Sequence, residues 1–488
     1  MDNMCGKISL FLLISWLSLP LWGQVPAPVS RLLSKPYMKG ASFSLLVKEV
    51  ESGRVCFAYD TLRQLTPASV MKTLTTATAL ELLGEEYRYP TTIAYDGTLR
   101  AGVLHGNLYI QGGGDPSLGS SFLPEQPMTV IRRWIAAVKE AGIRRIEGAV
   151  VADESLLDTE GTSPKWVAED LGNYYGAGSF GLNIFDNRYQ LFLRSGAAGS
   201  RPKVERTFPE VEGLRFHNYL TAAAVASDSA FIAGGRFSPE RYLYGVIPAN
   251  KERYVLKGDI PDPALFLARF LTRELRGSGV EVSGDASCHR LLREAGRWRA
   301  GKHMPIVTTH SPSLALLARV TNHASHNLYA DALLKTIGTH ERVKPGEVIS
   351  SFEKGVRALR KHWAERGLDL STVWMADGSG LAITNKLSTA FLVDMLIYMK
   401  TRSPQANSFF NSLPRAGEEG SVRSFLKGTT LQGNARLKSG SMSRVKGYAG
   451  YIRNGGKWYA VALLANNYSC EGSVMTREIG QLLVRLFE

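Results

Sequence analysis

Two side chains early in the chain have the chemistry of an activated serine nucleophile. A serine hydroxyl is a poor nucleophile near neutral pH and needs a base within hydrogen-bond reach. Ser69 and Lys72 are three residues apart, a spacing that places both side chains on one face of a helix. Because the same spacing recurs at Ser351 and Ser424, it is weak evidence when taken alone.

Two later motifs make the pair at Ser69 more specific. Ser325-His326-Asn327 is the only Ser-x-Asn sequence in the chain, and Lys438-Ser439-Gly440 is the only Lys-Ser/Thr-Gly sequence. With Ser69 they follow the order Ser-x-x-Lys, Ser-x-Asn, Lys-Ser/Thr-Gly, whereas the two copies named above come later than the Ser-x-Asn motif and break that order. This ordered triple is the signature of the penicillin-recognising serine enzymes.

Local sequence patterns place Ser69 at the start of a buried helix. Residues 42–48 alternate as a strand does, residues 51–53 predict a turn, and residues 55–59 predict a second strand. After Pro67 apolar residues recur at helical spacing until Gly84. A helix N-terminus presents backbone N–H groups and the positive end of the helix dipole, which favour developing negative charge.

The C-terminal part of the chain is also strand-rich. Residues 448–452 and 458–465 are apolar and flank Asn454-Gly455-Gly456, a strong hairpin signal, and a helix is predicted from about 474 to 486. We therefore predict one sheet built from both ends of the chain, with residues from about 89 to 311 as an excursion from it. Within the excursion a helix–glycine–strand pattern returns weakly, either as a true repeat or by chance.

The first two motifs are suited to proton transfer. Lys72 can act as a base only if its pKa falls well below the usual value of about 10.4, which burial and the neighbouring cation of Lys438 would achieve. Ser325 can relay a proton between Lys72 and a leaving amine, and Asn327 can hold the substrate amide.

The third motif is suited to binding the end of a peptide. Lys438 and Ser439 would bind a terminal carboxylate, and Gly440 would leave room for the peptide to lie along the strand edge as an added strand. The backbone N–H groups of Ser69 and Ser441 would form the oxyanion hole.

The spacing of the motifs points to one branch of these enzymes. Ser69 and Ser325 are 256 residues apart (325 − 69), which leaves room for whole inserted domains. The chain resembles the class C low-molecular-mass penicillin-binding proteins, the D-alanyl-D-alanine carboxypeptidase/endopeptidase family (peptidase family S13). Further segments that resemble this family are residues 106–109, 112–116, 166–170, 174–177 and 377–381.

The resemblance implies an α/β (α+β) fold in three parts. A transpeptidase/β-lactamase-like catalytic domain, with an antiparallel sheet flanked by helices, would comprise residues 24–88 and 312–488. A first inserted domain would comprise residues 89–165 and 262–311. A second, nested within the first, would comprise residues 166–261, and both would be rich in β structure.

The resemblance also implies the activity. It is that of a serine DD-peptidase that cleaves D-alanyl-D-alanine bonds of peptidoglycan stem peptides, as a carboxypeptidase, an endopeptidase or both, through an acyl-enzyme at Ser69 and with β-lactams as inhibitors. Asp170 matches an acidic position implicated in reading the amino group of a diaminopimelate side chain, although it could equally be a plain surface carboxylate. No metal or organic cofactor is implied.

Some positions depart from the family pattern or have ordinary explanations. Ser439 stands where many members have threonine, but a hydroxyl is retained. Ala382-Ile383 stands where Ser-Arg is expected, which weakens any claim about side-chain recognition at this edge. His326 is expected to take no part, because the site already has its base, and residues 377–380 could be only a turn.

The N-terminal residues predict export. Lys7 precedes an apolar run over residues 8–22 that ends at Gly23, as in a secretory signal peptide comprising residues 1–23. A membrane anchor, the alternative, needs about 20 apolar residues. We therefore expect an exported protein, periplasmic or otherwise extracytoplasmic.

Charge and cysteine content narrow the partners. The formal net charge is +14, but the positive residues are spread along the chain, which argues against nucleic acid as a partner. Loose association with the membrane surface or with anionic envelope polymers is the more suitable expectation. Cys56, Cys288 and Cys470 are scattered and odd in number, so we expect buried free thiols, although one bridge could form.

Three other functions are weighed against the peptidase. A serine β-lactamase needs a residue that rapidly deacylates the enzyme, and none can be assigned from the sequence. A non-catalytic envelope-binding protein would lack a catalytic residue, yet all of the candidates are present: Ser69, Lys72, Ser325, Asn327 and Lys438. A polyanion-binding module rests on charge alone.

Overall fold

The computed structural model describes residues 25–488, so the predicted signal peptide lies outside the described residues. The α-helices are α1 (Ala27–Leu33), α2 (Met71–Leu83), α3 (Thr129–Glu140), α4 (Pro263–Gly277), α5 (His289–Glu294), α6 (Leu314–Ala324), α7 (Asn327–Gly338), α8 (Ser351–Glu365), α9 (Thr389–Thr401), α10 (Ala406–Ser412) and α11 (Gly472–Phe487).

The strands are β1 (Ser42–Glu49), β2 (Val55–Tyr59), β3 (Pro90–Tyr95), β4 (Thr98–Arg100), β5 (Val103–His105), β6 (Leu108–Gly112), β7 (Arg145–Ile146), β8 (Val150–Asp153), β9 (Arg188–Ser195), β10 (Lys203–Phe208), β11 (Arg215–Asn218), β12 (Thr221–Ala223), β13 (Phe231–Ala233), β14 (Glu240–Tyr244), β15 (Val246–Pro248), β16 (Lys251–Asp259), β17 (Glu281–Val282), β18 (Ser287–Cys288), β19 (Met304–His310), β20 (Ala435–Met442), β21 (Val445–Asn454) and β22 (Lys457–Asn466).

One antiparallel sheet joins the two ends of the chain. Its strand order is β2-β1-β22-β21-β20, so the N-terminal hairpin pairs with the C-terminal strands through β1 and β22. Along β22, Val461 and Leu463 pack with α1 and α11, whereas Ala462 and Leu464 pack in the cluster that contains α2 and α9. Because helices cover both faces, β22 is apolar at nearly every position. The predicted sheet, built from both ends and flanked by helices, is confirmed.

Helix α2 is buried almost throughout, which explains its apolar sequence. Its threonines are compatible with burial because their hydroxyls donate to backbone carbonyls one turn earlier, as Thr76 does to Lys72 O at 2.7 Å and Thr78 does to Leu74 O at 2.7 Å. These bonds satisfy the hydroxyl donors within the helix itself. The helix therefore carries a lysine deep into the core without disturbing its packing.

The middle of the chain forms several smaller sheets. Their orders are β18-β8-β6-β3-β19, β17-β7-β5-β4, β10-β9-β16, β11-β14-β13 and β12-β15. β7 pairs in parallel with β17, and β8 with β18, so the two helix–glycine–strand segments lie side by side. One apolar cluster extends through this region from Ile93 to Cys288. The predicted division into two nested domains, with its boundaries, stays a prediction.

Two further features bear on the sequence predictions. Cys56, Cys288 and Cys470 are free thiols, but only Cys288 is buried, so the expectation of buried thiols was wrong for the other two. Among residues 25–488, no helix has both the length and the apolar character needed to cross a bilayer.

Candidate active site

Ser69 lies in a tight turn that immediately precedes α2. The turn, Ala68–Val70, is a 3-10 helix, and Ala68 has a left-handed backbone with φ of 46°. The chain entering this turn is held by the Asn466 side chain, which bonds both the N–H (2.8 Å) and the carbonyl (3.0 Å) of Thr66. A left-handed conformation at a residue other than glycine costs about 1–3 kcal/mol and persists only where its surroundings impose it. The backbone before the hydroxyl is therefore fixed by strand β22.

Lys72 lies one turn further on, and its amine contacts three oxygens. Nζ is 2.9 Å from Ser69 Oγ, 2.7 Å from Asn327 Oδ1 and 2.6 Å from the Ser379 carbonyl oxygen. The amide and carbonyl oxygens can only accept, whereas the serine hydroxyl can also donate. A neutral amine has two N–H groups and one lone pair, so these contacts direct the lone pair towards Ser69. This is the orientation that a base for the hydroxyl needs.

The pKa of Lys72 has the direction that such a base requires. Burial lowers it to about 8, against the nearby carboxyl groups of Asp331 and Asp377, which raise it. Burial also lowers the pKa of Lys438 well below its usual range, and the nearby Lys72 lowers it further. The sequence analysis expected burial and the second cation to act together on Lys72, and in the structure burial is the main cause.

Lys438 brings the second and third motifs together. It lies on β20 at one edge of the central sheet, fully buried, with Nζ 3.0 Å from Ser325 Oγ and 2.6 Å from the Ser439 carbonyl oxygen. The Ser439 hydroxyl is 3.0 Å from that of Ser421. The Ser325 hydroxyl therefore contacts Lys438 rather than Lys72.

Gly440 is required by the close approach of β20 to the turn of Ala68–Val70. A Cβ at this position would lie 2.5 Å from the Pro67 carbonyl oxygen and 2.9 Å from the Val70 nitrogen. The sequence analysis explained this glycine by room for a bound peptide, and the structure adds contact with the enzyme's own backbone. Ser441 follows as an exposed residue of the same edge strand. An edge strand presents unpaired backbone groups to which an extended peptide can add.

Asn327 connects Lys72 to the loop that contains Asp170. It is the first residue of α7, and while its Oδ1 contacts Lys72, its Nδ2 donates to the Tyr175 carbonyl at 2.8 Å. Asp170 is buried, and burial, followed by Glu169 and Asp377, raises its pKa to about 6. Within the described residues it makes no hydrogen bond to the other predicted site residues. Asp170 is therefore connected to the site only through its loop.

Two carboxylates, neither of which was predicted as a site residue, hold the segment of residues 377–380. Asp331 Oδ1 accepts from the N–H groups of Gly378 (2.8 Å) and Ser379 (3.0 Å), and Asp377 accepts from the indole of Trp166 at 2.7 Å. The sequence allows this segment to be only a turn, yet in the structure it carries the Ser379 carbonyl that contacts Lys72. Asp331 follows Asn327 by one helical turn, and that spacing is the signal by which it could have been found.

The departure at residues 382–383 changes what this edge presents. Ala382 is buried and its N–H donates to Asp377 Oδ2 at 2.6 Å, whereas the Ile383 side chain is half exposed. An aliphatic group therefore stands where an arginine was expected.

This geometry is suited to acyl transfer. It combines a hydroxyl at a helix entrance, a buried amine with a lowered pKa whose lone pair faces that hydroxyl, and a second buried amine on an open strand edge. Comparison with known proteins agrees with this chemistry. A D-alanyl-D-alanine carboxypeptidase of an Actinomadura species is 25% identical over 472 residues, covering 94% of this chain and 84% of that protein.

Two further comparisons extend over a larger share of the related protein. The D-alanyl-D-alanine carboxypeptidase DacB of Haemophilus influenzae is 24% identical over 485 residues, covering 96% of this chain and 94% of that protein. The crystal structure of penicillin-binding protein 4 (dacB) from the same organism matches with a TM-score of 0.80 and 21% identity, over 94% of this chain and 99% of that one. The model of the D-Ala-D-Ala carboxypeptidase 3 (S13) family matches residues 25–486, and since this range includes every motif described above, the chain belongs to that family.

Proposed function

We propose that Ser69 is the nucleophile of this serine-type D-Ala-D-Ala carboxypeptidase and that Lys72 is its general base. The observation that carries the proposal is the position of the Lys72 amine. It is fully buried, its pKa is lowered, and it lies 2.9 Å from the Ser69 hydroxyl, with its two other contacts on groups that can only accept. The neutral amine can therefore take the hydroxyl proton as Ser69 Oγ attacks.

The proposed reaction has two steps. Ser69 Oγ bonds to the carbonyl carbon of the penultimate D-alanine, its proton passes to Lys72, and the backbone N–H groups of Ser69 and Ser441 stabilise the oxyanion. The C–N bond then breaks, and the leaving amine of the terminal D-alanine takes a proton from Lys72 through Ser325, whose hydroxyl would turn from Lys438 towards Lys72 for this transfer. Water then attacks the resulting ester and gives a proton to Lys72. The bond between the carbonyl carbon and Ser69 Oγ breaks, Oγ takes that proton from Lys72, and the shortened peptide is released.

The substrate end is proposed to bind along β20. Lys438 and the Ser439 hydroxyl would bind the terminal carboxylate, and the backbone beyond Gly440 would pair with the extended peptide. Asn327 would hold the substrate amide. Asp170 is proposed to read the amino group of the side chain at the third stem-peptide position. Its burial supports a role of this kind, because a buried carboxylate with no cation beside it is costly until a cation arrives.

Further parts of the proposal follow from the family. The protein is proposed to be exported and to act on peptidoglycan outside the cytoplasm, with its positive net charge favouring loose association with anionic envelope polymers or the membrane surface. β-Lactams are proposed to acylate Ser69, and one solved structure of the Haemophilus influenzae protein is a β-lactam complex. Cleavage of cross-links as an endopeptidase is proposed alongside carboxypeptidase action.

The nucleophile assignment is tested with Ser69→Ala. We expect the variant to release no D-alanine from a stem-peptide mimic and to form no covalent adduct with a labelled penicillin. Ser424→Ala is the matched control, since Ser424 has the same spacing to a lysine but is exposed, and it should behave as the wild type. Labelling of Ser69→Ala would contradict the assignment.

Product analysis distinguishes the remaining alternatives. Mass spectrometry of digests of intact muropeptides separates loss of a terminal D-alanine from cleavage of a cross-link. Fast turnover of penicillin, rather than a long-lived adduct, would indicate a β-lactamase, and absence of any adduct in the wild type would indicate a non-catalytic binding protein.

A further inference from the structure

The ring of His326 is buried inside the Ser-x-Asn motif. It packs between the rings of Phe122 and Tyr329, with centroid distances of 4.7 and 4.5 Å. Its Nε2 lies 3.4 Å from Asp186 Oδ1, and among the described residues neither ring nitrogen has a hydrogen-bond partner of good geometry. A buried polar ring with so little compensation destabilises the fold, so its presence at this position calls for a functional explanation.

Asp186 is presented to this ring by an unusual backbone. Phe185, Asp186 and Asn187 all have left-handed φ angles, of 52°, 57° and 49°. Each such residue costs on the order of 1–3 kcal/mol, and strain of this kind is concentrated at functional sites. The segment belongs to the excursion rather than to the central sheet, yet it places a carboxylate beside a catalytic motif.

The Asp186 carboxylate is held firmly by its other neighbours. It accepts from the Ser120 hydroxyl at 2.5 Å, from the Ser121 N–H and hydroxyl at 3.1 and 2.9 Å, and from Arg188 Nη2 at 2.9 Å. It is 2% exposed. These bonds fix its position whether or not a histidine is present, so the ring docks against a preformed acceptor.

Burial, supported by two nearby cations, keeps the ring neutral at neutral pH. Burial lowers the pKa of His326 most strongly, Asp186 opposes this, and the cations of Arg188 and Lys72 lower it further. Burial raises the pKa of Asp186, but the contact with His326 and the charge of Arg188 outweigh it and hold that pKa below its usual value. The pair is therefore a carboxylate facing an uncharged imidazole above about pH 6.5, the usual pKa of histidine.

Ser325 and His326 are also the two residues that separate α6 from α7. α6 ends before Ser325, whose backbone is left-handed with φ of 56°, and α7 begins at Asn327. On either side of the ring, Ser325 Oγ is 3.0 Å from Lys438 Nζ and Asn327 Oδ1 is 2.7 Å from Lys72 Nζ. A rotation of residue 326 would thus move both contacts at once.

We propose that His326 and Asp186 are positioning residues, which together hold the turn between α6 and α7 so that Ser325 and Asn327 stay on the two lysines. This inference rests on the proposed function of those lysines. It replaces the expectation that His326 takes no part. It also gives the excursion a role in catalysis, because Asp186 and both serines that hold it come from that part of the chain.

The test compares His326→Gln with a matched control, His362→Gln. His362 is also buried, with its Nε2 3.4 Å from Glu81 Oε2, but it lies on α8 and contacts none of the three motifs. We expect His326→Gln to acylate with a labelled penicillin about 10- to 100-fold more slowly, since small misplacements of reacting groups cost factors of this size. His362→Gln should acylate at the wild-type rate, even if its melting temperature falls by as much as that of His326→Gln.

Two further measurements separate positioning from simple destabilisation. Because the ring is neutral, the pH at which acylation of His326→Gln rises should equal that of the wild type, with only the plateau lowered. Asp186→Asn should lower the same plateau, and the double variant should be no slower than the slower single variant, as for two residues that act as one unit.

Some outcomes would overturn the inference. Wild-type acylation by folded His326→Gln would do so, as would equal losses of acylation in the His326→Gln and His362→Gln variants. Fully additive losses in the double variant would also contradict a shared role. Failure of the proposed function is seen separately, as labelling of Ser69→Ala.

Discussion

Lys72 owes its chemistry to neighbours that accept hydrogen bonds but cannot donate them. Asn327 Oδ1 and the Ser379 carbonyl use the two N–H groups of the neutral amine, which leaves the lone pair for Ser69. The Ser379 carbonyl is fixed in turn by Asp331, whose carboxylate accepts from two backbone N–H groups. Burial, followed by the charge of Asp377, raises the pKa of Asp331 to about 8, and Lys72 opposes this increase. The amine and the carboxyl therefore titrate as a pair.

The pair predicts a pH dependence. Acylation should rise as pH increases through the pKa of Lys72, about 8, because only the neutral amine can accept the serine proton. Asp331→Asn keeps an acceptor for the two N–H groups but removes a charge that raises the pKa of Lys72. We expect the midpoint of the rise to move to lower pH, measured as acylation rate against pH.

The control for this prediction is Asp394→Asn. Asp394 is a half-exposed carboxylate on α9, paired with Lys48 on the outside of the sheet, and its loss should leave the midpoint unchanged. A midpoint for Asp331→Asn that is unchanged or higher than that of the wild type would show that Asp331 does not act on the charge of Lys72.

At the scale of secondary-structure elements, the site depends on how closely β20 approaches the turn before α2. Gly440 makes this approach possible on one side. Gly380, with a left-handed φ of 81°, allows the segment of residues 377–380 to approach on the other, since a Cβ there would lie 2.0 Å from the Ala68 carbonyl oxygen. Two glycines thus allow three separate elements to converge on one hydroxyl.

Gly440→Ala tests this convergence. The added methyl group would meet backbone atoms of Pro67 and Val70, which cannot move aside as a flexible side chain can, so we expect a loss of about 1–3 kcal/mol in the free energy of unfolding. Acylation should slow as well. Gly277→Ala is the control, because a Cβ at Gly277 has open space, and it should unfold at no lower denaturant concentration than the wild type.

The elements around the site were predicted well from the sequence, because the turn residues and the spacing of apolar residues that indicate each element lie within it or directly beside it. The hairpin of β1 and β2, the hairpin of β21 and β22, and the final helix lie within a few residues of their predicted bounds. The predicted start of α2 at Ser69 was wrong by two residues, since the left-handed Ala68 makes the first turn a 3-10 helix.

The remaining contacts of the site could not be predicted in this way. The Ser379 carbonyl and the Tyr175 carbonyl act through the backbone, so no residue type marks them. The docking of His326 on Asp186 joins residues 140 positions apart (326 − 186), and it depends on three consecutive left-handed residues, a conformation that Asp and Asn adopt singly but that their presence does not predict as a run. Tertiary packing alone determines these features.

At the scale of the whole molecule, buried polar contacts attach the excursion to α7 and to the segment of residues 377–380. The Trp166 indole donates to Asp377 at 2.7 Å, and the buried Lys335 on α7 donates to the carbonyls of Glu160 and Ser179 at 2.8 and 2.7 Å. Each contact satisfies a group that would be costly to bury alone. The excursion is therefore part of the structure that holds the site.

Trp166→Phe tests this attachment. It leaves one buried oxygen of Asp377 with one fewer donor, which we expect to cost about 1–3 kcal/mol in the free energy of unfolding. Acylation should also slow, because Asp377 holds the segment that carries Ser379. Trp374→Phe is the control, since this indole is 65% exposed, and chemical denaturation should show a change below about 0.5 kcal/mol. Equal stability of the two variants would contradict the attachment.

The pairing of β1 with β22 has a consequence for biogenesis. Ser42 faces Asn466 across these strands, so the central sheet cannot close until nearly all of the chain has been synthesised. Contacts between such distant residues form slowly, and this sheet would stay open in a growing chain until β22 has left the ribosome. For a polypeptide threaded through a narrow translocation pore, as proposed above for export, late closure of this sheet is an advantage, and a circular permutant that joins β22 directly to β1 would lose it.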